Sequence, residues 1–348
     1  MNRNSKTHYL DILQIFRGIA ALMVIVHHAV GSLSFYHQID YLLLSYIGLL
    51  GKFGVDFFFI LSGFIISYAA YYKYSEPDSF KKYIKNRIIR IYIPYLPIGI
   101  LMYVLYTYYP SFSNGNREIS LFTSVTLLPF GNPALSVAWS LIFELLFYFI
   151  FSISFFSRKA WNYFLLLWTV IILLFNYSSL HNLSINNNIT FRILLSTYNI
   201  EFILGYVLSL LIIYKIKLSL NKIIIWLVML FLVFFGINNF YTNTPYFFPN
   251  FLFSGVSFFI LYYMITNYNY QLNKNSIMMI IGNASYSIYL IHNPLQLVIL
   301  RMYPKINTVA SLILSLTLVV IASCLFGYVY YLIFEKKCMN FIKSKILG

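Results

Sequence analysis

The chain has 348 residues, of which 60% are hydrophobic, 20% aromatic and only 9% charged, with a mean hydropathy of +0.76. So much apolar side chain exceeds what one soluble core buries, which excludes a soluble globular protein and predicts a polytopic membrane protein. A formal net charge of +15 would suggest nucleic acid on a soluble protein, but here the basic residues fall in alternate loops and no nucleic-acid partner is expected.

In chain order, the stretches able to cross about 30 Å of hydrocarbon are 12–35, 46–71, 88–108, 134–156, 161–177, 194–214, 223–240, 247–266, 277–302 and 309–334. The expected fold is therefore all-α, an integral membrane protein of about ten transmembrane helices. With the N-terminus in the cytoplasm, the cluster Lys81, Lys82, Lys85, Arg87 and Arg90 faces inward, as do Arg158, Lys159, Lys215, Lys217 and the lysines of the tail. Only Arg117, Arg192, Arg301 and Lys305 fall outside. This asymmetry predicts that both termini are cytoplasmic.

No hydrophilic stretch has room for a soluble accessory domain, so a single membrane domain over 1–348 is expected, with 1–10 a cytoplasmic N-terminus and 335–348 a basic cytoplasmic tail. That tail reads as a short helix lying on anionic lipid. The first apolar run is too long for a signal peptide and reads as a retained helix. Cys324 and Cys338 are in no metal-ligand spacing, so neither a disulfide nor a metal site is expected. In the asparagine-rich loop 181–190, Asn182/Ser184 and Asn188/Thr190 match the glycosylation tripeptide, a weak signal in such composition. The chain has no internal repeat of the kind that marks many secondary transporters.

Inside the first span, RGIAALMVIVHHA places Arg17 and His28 eleven residues apart. Eleven residues advance a helix by about 1100°, three turns plus about 20°, and by roughly 16 Å, so the two share a face. His27 lies about 80° from Arg17 on the same wheel and points elsewhere. A charged side chain at mid-membrane costs about 2.5 to 3.5 kcal/mol on insertion scales, which makes each one a functional hypothesis. The other intramembrane ionisable groups are Asp56 in FGVDFFFILSGF, Glu144 in VAWSLIFELLFY, Glu201 in STYNIEFILGY and His292 in GNASYSIYLIHNP. These groups pair, or they line a wet cavity.

Ser140, Glu144 and Tyr148 recur every four residues and form a polar stripe. Ser285, Tyr289 and His292 lie on nearly one face, and Pro294 then removes a backbone hydrogen bond. Gly54 and the Ser62-Gly63 pair suit close helix packing. Arg87 and Arg90 stand at the cytoplasmic mouth of the third span, where topology alone explains positive charge but a phosphate-rich ligand would also need it. Each of these has a plain structural reading: Arg17 snorkelling to headgroups, and the acids and histidines pairing helices.

Taken in order, RGIAALMVIVHHA, GVDFFFILSGFII, RIIRIYIPYL, VAWSLIFELLFY and GNASYSIYLIHNP resemble the membrane acyltransferase family three, whose bacterial and eukaryotic members commonly O-acylate sugars. The resemblance spans about Tyr9 to Lys337. It implies that the family's arginine and histidine fall on Arg17 and His28, its helix-two aspartate and Ser-Gly pair on Asp56, Ser62 and Gly63, and its RxxR pair on Arg87 and Arg90. It further implies a functional glutamate at Glu144 and late positions at Ser285, Tyr286 and His292. Some members carry an extracytoplasmic hydrolase-like domain; this chain looks like a stand-alone member.

The resemblance implies a bacterial inner-membrane O-acyltransferase that uses acetyl-CoA or another acyl-CoA as donor and a carbohydrate as acceptor, with no bound cofactor. Transfer from a thioester to a hydroxyl asks for a base, the role for which histidine is best poised. On this reading His28 deprotonates the acceptor, and Asp56 or Glu144 orients the ring. A transient acyl-enzyme at His28 or Ser285 remains open. A transporter or proton-coupled carrier using the same acids and histidines is the alternative class, and a scaffold using them only to pair helices is a third.

Overall fold

A computed structural model describes residues 3–39, 41–74, 76, 78–112, 118–177, 188–218, 225–226, 228–230, 232–233, 247–267, 273 and 275–347. Most of the predicted span 223–240 and most of the asparagine-rich loop lie outside the described residues. The described residues are helical, with no strand among them. The principal helices are α1 (Arg3–His37), α2 (Leu42–Lys52), α3 (Gly54–Tyr71), α4 (Ser79–Tyr108), α5 (Leu121–Thr126), α6 (Trp139–Phe151), α7 (Arg158–Tyr177) and α8 (Ile189–Leu194). They continue as α9 (Tyr198–Ile213), α10 (Phe247–Asn267), α11 (Ile277–Asn283), α12 (Ser285–Met302) and α13 (Val309–Tyr330). A π-helical stretch, Tyr331–Cys338, joins α13 to α14 (Met339–Leu347).

Among the described residues, seven helical segments are long and apolar enough to cross a membrane: Asp11–His37, Leu43–Tyr71, Ser79–Tyr108, Ser136–Phe155, Arg158–Asn176, Ile189–Ile213 and Val309–Lys345. Phe251–Asn267 is a shorter apolar helix. Among the described residues, many of their large apolar side chains are exposed. On α7, Leu166, Leu167, Val170, Ile171 and Leu174 are all exposed, a stripe at helical spacing that water would penalise and lipid would not.

The predicted span 277–302 is two helices rather than one. The chain breaks at Ala284, directly after the poor helix formers Gly282 and Asn283, and restarts as α12. Gly282 lies against the backbone of Gln14 on α1, so closely that any Cβ there would collide with the Gln14 carbonyl. Pro294, by contrast, sits inside an unbroken α12.

The fold divides into two compact units. The first comprises Met1–Val55, Lys85–Ile142 and Gln271–Gly348. Its axis is α1, which packs on α2, α11, α12 and α13. Ala29, Val30, Leu33, Leu300, Leu312 and Val319 form one buried cluster there. The end of α4 that belongs to this unit is held by two tyrosines: Tyr286 of α12 donates to the Ile91 carbonyl at 3.0 Å, and Tyr330 of α13 donates to the Pro94 carbonyl at 2.7 Å. The second unit, Asp56–Ile84 and Phe143–Tyr270, is built on aromatic packing. Phe59 and Phe147 both lie against Phe202, with ring centroids 4.6 and 4.7 Å apart.

Candidate active site

In the first unit, α1 and α12 face each other through matched polar positions. Ile25 and His28 are one turn apart on α1, and His292 and Gln296 one turn apart on α12. The Gln296 side chain donates to the Ile25 carbonyl at 3.0 Å, and the rings of His28 and His292 lie 5.2 Å apart. His292 is fully buried, and its Nδ1 meets the Tyr289 carbonyl at 2.7 Å. A carbonyl only accepts, so Nδ1 carries the proton and Nε2 presents a lone pair. That Nε2 has no hydrogen-bond partner among the described residues.

His28 is half-buried, and among the described residues its recorded neighbours are the rings of His27 and His292. Its imidazole is thus held by packing while its nitrogens stay available. His27 is committed elsewhere: its Nδ1 donates to the Gly48 carbonyl of α2 at 2.7 Å. The helical wheel separates these adjacent histidines correctly, one towards α12 and one towards α2.

Three turns along α1, Arg17 is half-buried and donates to Gln14 at 3.2 Å. Glu335, in the π-helical stretch, lies within electrostatic reach of Arg17 and Arg90. The Tyr330–Pro94 bond explains this encounter, because it fixes the chain beside α4 five residues before Glu335 and four residues from Arg90. Arg87 lies one turn from Arg90 on α4. Sequence reasoning missed Glu335, since a lone acid among lysines reads as part of a solvated tail. It missed Gln296 too, although its place four residues after His292 was a usable signal.

Of the supporting residues expected in this unit, Ser140 and Tyr289 are 2.7 Å apart beside the Val137 carbonyl, to which Tyr289 lies at 3.0 Å. Ser136 donates to Asn293 at 2.8 Å. Ser285 is fully buried, with no hydrogen-bond partner for its hydroxyl among the described residues. Tyr286 holds α4, as described above.

The remaining expected residues belong to the second unit. Ser62 donates to Glu144 at 2.9 Å, and Tyr148 donates to the same carboxylate oxygen. Two members of the predicted stripe therefore meet, and Ser62 joins them. Asp56 is buried with its carboxyl against that of Glu201, and Glu201 accepts from Ser254 at 3.1 Å. Glu201 was visible in the sequence as an intramembrane acid but had no assigned neighbour, and Ser254 gave no signal.

Among the described residues no group of three or more His, Cys, Asp or Glu side chains could hold a metal ion. Cys324 and Cys338 are both free thiols.

Long apolar helices with lipid-compatible outer faces and a few buried polar clusters define an α-helical integral membrane protein. The chain belongs to acyltransferase family three, described as an acyltransferase domain, whose pattern matches residues 8–332 and so runs through both units. Searches among curated proteins and among solved structures gave no match.

Proposed function

We propose that the protein transfers an acetyl group from acetyl-CoA to a hydroxyl of a cell-surface or secreted carbohydrate, with both termini in the cytoplasm of a bacterial cell and the enzyme in its inner membrane. The observation that carries this reading is the shared face of α1. At one end His28 presents an imidazole without a hydrogen-bond partner among the described residues, and about 16 Å along the helix Arg17 stands, with Arg90, within electrostatic reach of Glu335. A donor whose phosphates bind near Arg87, Arg90 and Arg17 places its pantetheine arm along that face.

A sugar hydroxyl is a weak nucleophile, while a thiolate is a good leaving group, so the demanding step is removal of the hydroxyl proton. His28 takes that proton as the oxygen attacks the thioester carbonyl. The carbon–sulfur bond breaks, the ester forms, and the imidazolium returns the proton to the departing CoA thiolate. His292 beside it gives its Nδ1 proton to the Tyr289 carbonyl, which fixes its ring against that of His28. Asp56 and Glu144 belong to the second unit, where Asp56–Glu201 and Ser62–Glu144–Tyr148 form two polar clusters. Their part in orienting the base is a secondary proposal, tested by the corresponding amides.

The test is purified protein in nanodiscs with radiolabelled acetyl-CoA and extracted cell-surface glycan. Label entering the glycan with stoichiometric release of CoA is expected, and His28→Ala abolishes both. Full transfer by purified His28→Ala overturns the proposal. Mass spectrometry of surface glycans with and without the protein then names the sugar and the hydroxyl.

A further inference from the structure

One backbone carbonyl sets the hydrogen-bonding roles of two facing histidines. His292 gives its Nδ1 proton to the Tyr289 carbonyl at 2.7 Å, so its Nε2 carries a lone pair and no proton. That Nε2 is buried, with no hydrogen-bond partner among the described residues. A buried acceptor left unmade costs about 1–3 kcal/mol, so it calls for a donor. Two rings lie beside His292. Tyr289, 5.5 Å away between centroids, has its hydroxyl committed to the Val137 carbonyl at 3.0 Å. His28, at 5.2 Å, is the other. Two imidazoles joined through one N–H···N bond stand about 5 Å apart between centroids, and such bonds in a resting site often close only in the substrate complex.

Gln296 adds an independent observation. It is fully buried, and its Nε2 donates to the Ile25 carbonyl at 3.0 Å, one turn before His28. Within a helix that carbonyl already has the N–H of Ala29 as its partner, so the bond fills no gap in α1. The Gln296 Oε1 has no hydrogen-bond partner among the described residues. One bond gained, worth about 1 kcal/mol, is offset by one buried acceptor left unmade. As a source of stability Gln296 is therefore no better than an apolar side chain of its size; what it fixes is the register of α1 against α12.

We propose that His292 and Gln296 are the positioning residues of His28. The Tyr289 carbonyl accepts from His292 Nδ1, and His292 Nε2 accepts from one ring nitrogen of His28. The other His28 nitrogen then faces the acceptor hydroxyl with its lone pair. The proton between the two rings stays on His28 throughout, while the one taken from the hydroxyl passes to the CoA thiolate. Gln296 holds the turn of α1 that ends in His28 where this bond is within reach. The proposal rests on the acyl-transfer reading above, and the group that orients the base then comes from the first unit itself.

The experiment compares two variants of His292 in the full-length protein in nanodiscs. His292→Asn keeps an N–H near Nδ1 for the Tyr289 carbonyl but has nothing at Nε2, whereas His292→Gln places an acceptor oxygen near Nε2. His292→Asn is expected to lower kcat for acetyl transfer about a hundredfold with KM for acetyl-CoA unchanged, and His292→Gln to recover to within about tenfold of wild type. Gln296→Met is expected to lower kcat about tenfold, as a small misplacement of the base does, with a melting temperature no lower than wild type. A second readout needs no acyl donor: diethyl pyrocarbonate attacks the unprotonated imidazole nitrogen, and mass spectrometry follows His28 against His27. His292→Asn is expected to slow modification of His28 alone, and His292→Gln to restore it. If the wild type transfers no acetyl group yet His28 reactivity follows this pattern, the acyl-transfer reading fails and the pairing is supported. Wild-type kcat in His292→Asn overturns the proposal and leaves that reading in place. Equal losses in His292→Asn and His292→Gln, with matching falls in melting temperature, make His292 a packing residue and overturn it too. Wild-type kcat in Gln296→Met removes Gln296 from the proposal.

Discussion

Two adjacent histidines on α1 have opposite fates, and the difference is a matter of which nitrogen is spent. His27 gives its Nδ1 proton to the Gly48 carbonyl, so its ring serves the α1–α2 contact. His28 has no such commitment among the described residues, and its ring rests against His292. His28→Ala is therefore expected to lower kcat by about 10³ while leaving CoA binding intact, the usual scale for loss of a positioned base. Steady-state transfer beside direct CoA binding checks this, and a loss of binding equal to the loss of rate would count against a base. His27→Ala is expected to cost about 1 kcal/mol of stability, as one lost hydrogen bond does, with kcat preserved; thermal unfolding in detergent reads the first and transfer the second. The wheel made the division between these residues legible in the sequence. The partner of His28 was not legible from the first span itself, because His292 comes from a helix near the other end of the chain and nothing local links them.

The α3–α9 crossing in the second unit shows what the elements require of each other. Gly63 of α3 lies on the backbone of Phe202, and Gly205 of α9 lies on the backbone of Ile60, so a Cβ at either position would strike a carbonyl oxygen. The Ser62-Gly63 pair announced close packing in the sequence, but Gly205 did not, since one glycine in an apolar helix has many meanings. This crossing carries the polar residues on either side of it, Asp56 with Glu201 and Ser62 with Glu144. Gly205→Val is expected to destabilise the fold by about 2 kcal/mol or more, because overpacking against backbone has no flexible side chain to absorb it. A melting temperature unchanged from wild type would show that the helices part without cost. The tail was less legible still: its lysines read as a separate surface helix, whereas the structure carries α13 into it through a π-helical stretch that has no simple sequence pattern.

At the scale of the whole molecule, the arrangement sets a direction for the chemistry. Glu335 stands within electrostatic reach of both Arg17 and Arg90 at one end of the first unit, and the proposed topology, with both termini inside, puts that end at the cytoplasm. His28 stands about 16 Å away along α1, roughly half of the hydrocarbon thickness. CoA is too charged to enter lipid, so if the donor binds at the cationic end and the acceptor is outside the cell, the thioester must be handed over within the membrane. Sealed inverted vesicles, which expose the cytoplasmic face, are therefore expected to consume added acetyl-CoA and accumulate acylated glycan in their lumen. Sealed right-side-out vesicles are expected to remain inactive with external acetyl-CoA until they are permeabilised. Equal rates in both orientations, with the seal verified, would mean that the donor reaches His28 from the outer face. The cationic end of the molecule would then have to be explained by lipid contact alone.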